Sequence, residues 1–338
     1  MKFLSLLLLF VSLVYGETTL KIATYNVENL FDLQRNGYEY PEYIPYTKSN
    51  WNRKNYKIKL KNIAKVIKDI NPDIIGLQEI ESLQALKDLR YTLKKEGLYF
   101  QYYKIADLKS TTIKVAILSK IPFVYTHEIA VTSSYKYRNI LEVKVKIGDE
   151  DLYILINHWK SKAGPESMRI VSAKKLKKRV QELGKEKNII ALGDFNSDYE
   201  EYKIFKRKRK LNDTGGITGI NHILGTIKYQ AKPEDVQVEP YDFYNLWYDT
   251  ISKKRYSYIY KKKKEAIDNI LVTAALLDKR GLDYQPHSIT PFEKPYLFKG
   301  KDIFRWQTTR SRLRRHKGKG YSDHLPVIAE FILHEDTN

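Results

Sequence analysis

Cysteine is absent from the 338 residues, which excludes disulfide staples, thiolate nucleophiles and cysteine-based metal sites. A chain of this kind stands on its apolar core alone. Long apolar runs are scarce as well: residues 3–14 form the longest, and it is too short to span a bilayer. Lys2 precedes that run, and Val14, Tyr15 and Gly16 follow it before Glu17, the order of a secretory signal. The sequence therefore predicts a signal peptide at residues 1–16 and a mature chain from 17 to 338, released to the periplasm or the medium. Acidic residues are in deficit, 40 against 60 basic, for a net charge of +20. A surplus of this size favours polyanionic partners, whether nucleic acid, anionic lipid or acidic glycan, and does not choose among them. Internal repeats and convincing linkers are missing too, so residues 17–338 are expected to form one α/β domain. Nothing implies a protein partner or stable membrane insertion, and a monomer is expected.

What the chain does contain is one design used repeatedly: a short apolar strand that ends in polar side chains. Residues 188–198 read NIIALGDFNSD, with Ile189 to Leu192 apolar and then Gly193, Asp194, Phe195 and Asn196. Alone, this could be a strand followed by an Asx-type turn. The same design recurs in LKIATYNVENLFD with Asn26, in DIIGLQEIES with Glu79, and in DLYILINH with His158. It recurs again in EAIDNILVT with Asp268, and in GYSDHLPVIAEF, where Asp323 and His324 precede a strand at 327–331. A strand cap is the structural alternative for Asn26, but a carboxylate such as Glu79 in an apolar strand needs a partner or a cation.

Helical spacing joins Leu60, Ile63, Val66, Ile67 and Ile70, with Asn71 and Pro72 as a stop. It recurs at Leu86, Leu89 and Leu93, and from residue 165 to about 183 at Ala173, Leu176, Val180 and Leu183. Residues 32–55 read as a long loop. Four alternating stretches (99–104, 113–119, 123–131 and 139–147) read as consecutive strands with short turns. Residues 256–260 and 266–273 read as the two arms of a hairpin. The basic runs at 206–210 and 261–264 read as solvated loops or hairpin tips. A further basic stretch differs in abutting the Asp-His pair. It holds Arg305, Arg310, Arg312, Arg314, Arg315, Lys317 and Lys319, and is expected to meet a polyanion, as are Lys160 and Lys162 after His158.

Together, Asn26, Glu79, His158, Asp194, Asn196, Asp268, Asp323 and His324 make an oxygen-rich set with two imidazoles. It suits a hard divalent cation, Mg2+ before Mn2+ or Ca2+, and proton transfer near neutral pH. Hydrolysis of a phosphate ester uses both.

At these residues the chain resembles the endonuclease/exonuclease/phosphatase superfamily, the fold of deoxyribonuclease I, and most of all its secreted bacterial nucleases. YNVENLF, LQEIE, NHWKSK, GDFNSD, IDNILV and SDHLPV occur in the family's order. The resemblance implies a four-layer α/β/β/α sandwich with its active site at one end of two packed mixed sheets. It implies Glu79 as the principal metal ligand, Asn26 as a residue that positions metal or phosphate, and Asp323 beside the metal. Asp194 and Asn196 would orient water and phosphate, Asp268 would orient His324, and His158 would be the second histidine. Either His324 or Asp194 would be the base. The carboxylate that backs the second histidine in deoxyribonuclease I has no counterpart in this sequence. The implied reaction is metal-dependent cleavage of nucleic acid, DNA first, to a 5'-phosphate and a 3'-hydroxyl, by an endonuclease or exonuclease. Sphingomyelinase-like or phosphoinositide phosphatase-like activity is the alternative within the superfamily, and a noncatalytic basic nucleic-acid-binding protein the alternative outside it.

Overall fold

The computed structural model describes residues 18–205 and 209–334. The expected signal at 1–16 and residues 206–208 of the first basic run lie outside the described residues. In chain order the first half is β1 (Thr18–Leu30), α1 (Arg53–Ile70), β2 (Ile74–Ile80), α2 (Leu83–Lys95), β3 (Tyr102–Ile105), β4 (Lys114–Ser119), β5 (Phe123–Ile129), β6 (Ile140–Ile147) and β7 (Glu150–His158). The second half is α3 (Glu166–Leu183), β8 (Asn188–Asp194), α4 (Glu201–Ile204), β9 (Tyr244–Asn245), β10 (Tyr258–Tyr260), β11 (Lys263–Glu265), β12 (Asp268–Val272), β13 (Leu282–Tyr284), β14 (Thr290–Pro291), β15 (Phe298–Lys299), β16 (Asp302–Ile303) and β17 (Val327–Leu333). No helix among the described residues is long and apolar enough to cross a membrane.

The strands form two mixed sheets, ordered β13-β17-β1-β2-β4-β3 and β5-β6-β7-β8-β12-β9. Each is parallel at its centre, β1 beside β2 and β7 beside β8, and antiparallel outside. The alternation of side chains along each strand sorts the core into layers. Ile22, Ile74, Ile154, Ile156, Ile190 and Leu192 point between the sheets. Their neighbours Ala23, Ile75 and Leu77 pack outward under α1 and α2, while Leu155, Ile189 and Ala191 pack under α3. The result is the α/β/β/α sandwich expected from the sequence.

Helix boundaries follow local chemistry. The Asn52 side chain accepts hydrogen bonds from the amides of Lys54 and Asn55 at the start of α1, and Ser82 caps α2 through the amide of Ala85. Asn71 ends α1 in a left-handed conformation just before Pro72.

Two expectations need correction. Residues 99–147 do not make one run of neighbouring strands: β3 and β4 belong to the first sheet, and the chain crosses at 120–122 to begin the second with β5 and β6. Alternation specifies which side chains face a core, not which sheet a strand joins. The partner of β10 is β11, with the lysine run at its turn, whereas β12 is a sheet strand between β8 and β9.

At the centre, parallel register puts Asn157 opposite Gly193 and His158 opposite Asp194. Gly193 has a φ of +136°, and a Cβ there would lie 2.0 Å from the Asn157 carbonyl oxygen. Only glycine permits that approach. Gly193→Ala is expected to destabilise the protein by about 2 kcal/mol or more, seen as a lower urea midpoint at unchanged slope.

Candidate active site

The polar strand ends meet at one edge of the sandwich. Asn26 comes from β1, Glu79 from β2, His158 from β7, Asp194 from β8 and Asp268 from β12, while Ser322 to His324 precede β17. Simple alternation would send Glu79 outward with Ile75 and Leu77. Instead the β1/β2 register slips between the pairs Asn26/Gln78 and Leu30/Ile80. At the slip Glu28, Asn29 and Glu79 take φ values of 51°, 61° and 68°. This bulge takes Glu79 out of the alternation and toward the second sheet.

Asn26 is the bridge. Its Nδ2 donates to Glu79 Oε1 at 3.1 Å and to Asp194 Oδ2 at 3.0 Å, so one buried amide ties a carboxylate of each sheet. Asp194 Oδ1 accepts the Asn196 amide at 2.8 Å, with Asn196 held left-handed at φ 48°. The Asn196 side chain donates to the Trp159 carbonyl. Burial and the charge of Asp268 push the Asp194 carboxyl up to about 7, against the pull of His324. Burial and the charge of Asp323 also raise Glu79.

The two histidines differ in kind. His324 Nδ1 lies 2.7 Å from Asp268 Oδ2, which also accepts from Ser257 Oγ at 2.6 Å. Burial opposes the imidazolium, but Asp268, Asp194 and Asp323 outweigh it and hold His324 well above the usual range. His158 Nε2 lies 3.5 Å from Asp194 Oδ2, and its Nδ1 has no hydrogen-bond partner among the described residues. Burial, with the charges of Arg138 and His324, holds it well below the usual range, so His158 is neutral. No carboxylate stands behind it, matching the missing counterpart in the sequence.

Asp194, Asp268 and His324 each offer a ligand atom within 4.8 Å of the others. Asp268 and His324 are committed to each other, however, so that trio is better suited to moving a proton. Glu79 fits a cation better: it is held by the Asn26 amide at 3.1 Å and faced by neutral His158 at 3.9 Å, and offers carboxylate oxygen to a hard divalent ion.

Glu79, His158, Asp194, Asn196 and His324 open into a cavity of about 610 Å³, with Asn26, Asp268 and Asp323 set behind its lining. Tyr40, Arg138, Tyr258 and Tyr260 also line it, none of them singled out by the sequence. Arg138 lies ahead of β6 in a stretch without periodicity, and its Nη1 donates to the Trp159 carbonyl. The Tyr258 ring lies 4.9 Å from that of His324. Only the tertiary fold brings these loops to the site.

The expected substrate cations divide into two groups. Lys162 lines the cavity, but its Nζ is 2.7 Å from both Glu201 and Glu265, which fasten it between α4 and β11. Lys160 does not line the cavity, and its carbonyl accepts from Arg169. Arg305 is bound to Glu28 and Asp323. These three differ from the expectation of free cations because neighbouring carboxylates, or the course of the chain, claim them first. Arg310, Arg312, Arg314 and Arg315 are exposed on a hairpin closed by the Thr308–His316 bridge, and Lys317 and Lys319 are exposed just past it. Buried His316 accepts from Trp306 Nε1 at 2.8 Å and lies 2.8 Å from the Glu42 carbonyl; Arg314 lies 3.7 Å from the Glu42 carboxylate. The hairpin is thus fastened to the segment that follows Tyr40, on one wall of the cavity.

A sequence profile described as the endonuclease/exonuclease/phosphatase family matches residues 21–332. Human tyrosyl-DNA phosphodiesterase 2 is 25% identical over 175 residues, covering 49% of this chain and 42% of that protein, so the match spans under half of the relative's length. Among solved structures, D. rerio TDP2 complexed with single strand DNA product aligns at a TM-score of 0.57 and 15% identity, covering 93% of this chain and 99% of that one. A mannosyl-6-phosphatase from Bacteroides thetaiotaomicron aligns at 0.54 and 16% identity, covering 93% and 100%. At these identities the structures share the fold.

The Asp268–His324 pairing can be read in solution. The carboxylate favours the imidazolium, so Asp268→Asn is expected to move the His324 titration midpoint to lower pH. NMR titration of the histidine ring protons reads this directly, and an unmoved midpoint would mean that Asp268 only caps its strand.

Proposed function

Since the chain belongs to the endonuclease/exonuclease/phosphatase family, whose profile spans residues 21–332, we propose that this phosphate-ester hydrolase is a metal-dependent nuclease. It cleaves DNA by in-line attack of water and leaves a 5'-phosphate and a 3'-hydroxyl. The observation that carries DNA over a small ester is the arginine hairpin fastened beside the cavity through His316 and Glu42. Exposed cations in that position suit a phosphate backbone and read no bases.

In this reading Glu79 would hold Mg2+, assisted by Asn26 and by the Asp323 oxygen turned toward His324. When bound, the ion would neutralise charge on the phosphate oxygens. Asp194, its carboxyl pushed up to about 7, accepts the proton of the attacking water, with Asn196 beside it positioning water and phosphate. His324, held as imidazolium by Asp268, donates to a nonbridging oxygen. Neutral His158 and the Arg138 guanidinium stabilise the charge that builds as the P–O bond breaks, and the leaving 3'-oxygen takes its proton from solvent. The proposal includes export as a single-domain monomer, for which the support is the pattern at residues 1–16.

A second reading, a small phosphomonoester such as a sugar phosphate, draws on the cavity's tyrosine walls, which suit a single ring. One assay separates the two: plasmid, linear DNA, RNA, sphingomyelin and a sugar phosphate in parallel, with Mg2+ or with EDTA. Hydrolysis of DNA is expected in Mg2+ alone. Turnover of only the sugar phosphate or the lipid would move the assignment to that ester.

Glu79→Gln is expected to take turnover to the level of EDTA-treated wild type while circular dichroism stays unchanged. Neutralising Arg312, Arg314 and Arg315 together should flatten the log-log salt dependence of duplex binding by about 0.9 for each phosphate that is no longer neutralised. Cleavage of a small phosphodiester should scarcely change. An unchanged salt slope would leave the hairpin a solvated face.

A further inference from the structure

Glu28 and Asp323 form a second pair of carboxylates, joined by Arg305. Glu28 lies two residues past Asn26, left-handed at φ 51° and 6% exposed. Both its oxygens are taken: Oε1 accepts from Arg305 Nε at 2.9 Å and from Nη2 as well, and Oε2 accepts the Trp306 amide at 3.0 Å. The same Arg305 Nη2 lies 3.1 Å from Asp323 Oδ2, while Asp323 Oδ1 faces His324 Nε2 at 3.9 Å. Behind the pair is Lys59, fully buried, whose Nζ donates to the carbonyls of Glu28 at 2.8 Å and Tyr321 at 2.9 Å.

The backbone under Arg305 has little freedom. A Cβ on Gly320 would lie 1.9 Å from the Arg305 carbonyl oxygen, so the two strands of the loop touch where only glycine fits. The backbone that carries Arg305 is thus fixed, while its side chain, 52% exposed, is held by the two carboxylates it joins, and a planar fork spanning two carboxylates is a geometry that a lysine cannot copy.

We propose that Arg305 is the resident counter-ion of the Glu28–Asp323 pair, so that the site takes one divalent cation, on the Glu79 side, and Glu28 is not a ligand. The inference rests on the metal-dependent reading above. A second ion would have to displace a guanidinium held at both carboxylates, and Asp323 keeps only one oxygen to offer. Arg305 is then a positioning residue: it turns Asp323 Oδ1 toward the reacting groups and does not itself meet substrate.

Mn2+ titration by calorimetry, with electron paramagnetic resonance of free Mn2+ as a second count, tests this without any turnover. Wild type is expected to bind one ion per chain. Arg305→Gln removes the counter-ion and should bind two, and the double variant Glu28→Gln with Arg305→Gln should return to one. Two ions on wild type would overturn the assignment, whether or not the variants fold. A single ion on folded Arg305→Gln at unchanged affinity would overturn it too. Wild type that binds no Mn2+ would instead overturn the metal-dependent reading itself.

Discussion

Asn26 spends both hydrogens of one amide on carboxylates that belong to different sheets, Glu79 beside it and Asp194 across the seam. Much of the site depends on this bridge. Carboxylates brought together out of water repel, and neither alternation nor burial gives them a reason to stay. The amide holds them while the backbone absorbs the cost: a register slip in β1/β2, left-handed conformations at Glu79 and Asn196, and a glycine at 193 that lets β7 and β8 close. Strain gathered at one end of an otherwise regular sandwich is the usual signature of a pre-organised site.

Compensating charge explains much of the rest. The net charge of +20 suggests a uniformly cationic protein, yet several cations near the site are already paired with carboxylates. Lys162 is held by Glu201 and Glu265, Arg305 by Glu28 and Asp323, and Arg169 by Glu166 in a pair that is wholly buried. Buried pairs of this sort contribute little net stability but are costly to break singly, so they act mainly to position. Exposed arginines stand on the 308–316 hairpin, where Arg314 meets Glu42 and Arg310, Arg312 and Arg315 face solvent.

That hairpin shows how a solvent-facing surface can stand on a rigid base. Its tip carries exposed arginines, while its root is set among Tyr43, Trp51, Trp306 and His316, rings whose centroids lie 4.7 to 6.4 Å apart. Burial pushes His316 down to about 4, so the imidazole is neutral at ordinary pH and can accept from Trp306. A fixed root limits the directions in which the tip can reach, which keeps its cationic charge near the segment that carries Tyr40 and Glu42.

The sequence by itself determined the layers and the chemistry available. Short apolar runs in β1, β2, β7 and β8 and helical spacing in α1 and α2 are local properties, legible without the fold. So are the residue types at strand ends, from Asn26 to His324, because an apolar strand that stops at a carboxylate or an imidazole is visible in a few adjacent letters. Tertiary structure alone decided which strands share a sheet, as in the crossing between β4 and β5, and which partner β10 takes. It also brought Tyr40 and Arg138 to the cavity and chose which cations face outward. Lys162 and Arg312 look alike in the sequence, and they differ because one meets Glu201 and Glu265 while the other meets solvent. Periodicity records the environment of each residue's own segment, whereas the pairing of a charge is set by side chains that lie far away along the chain.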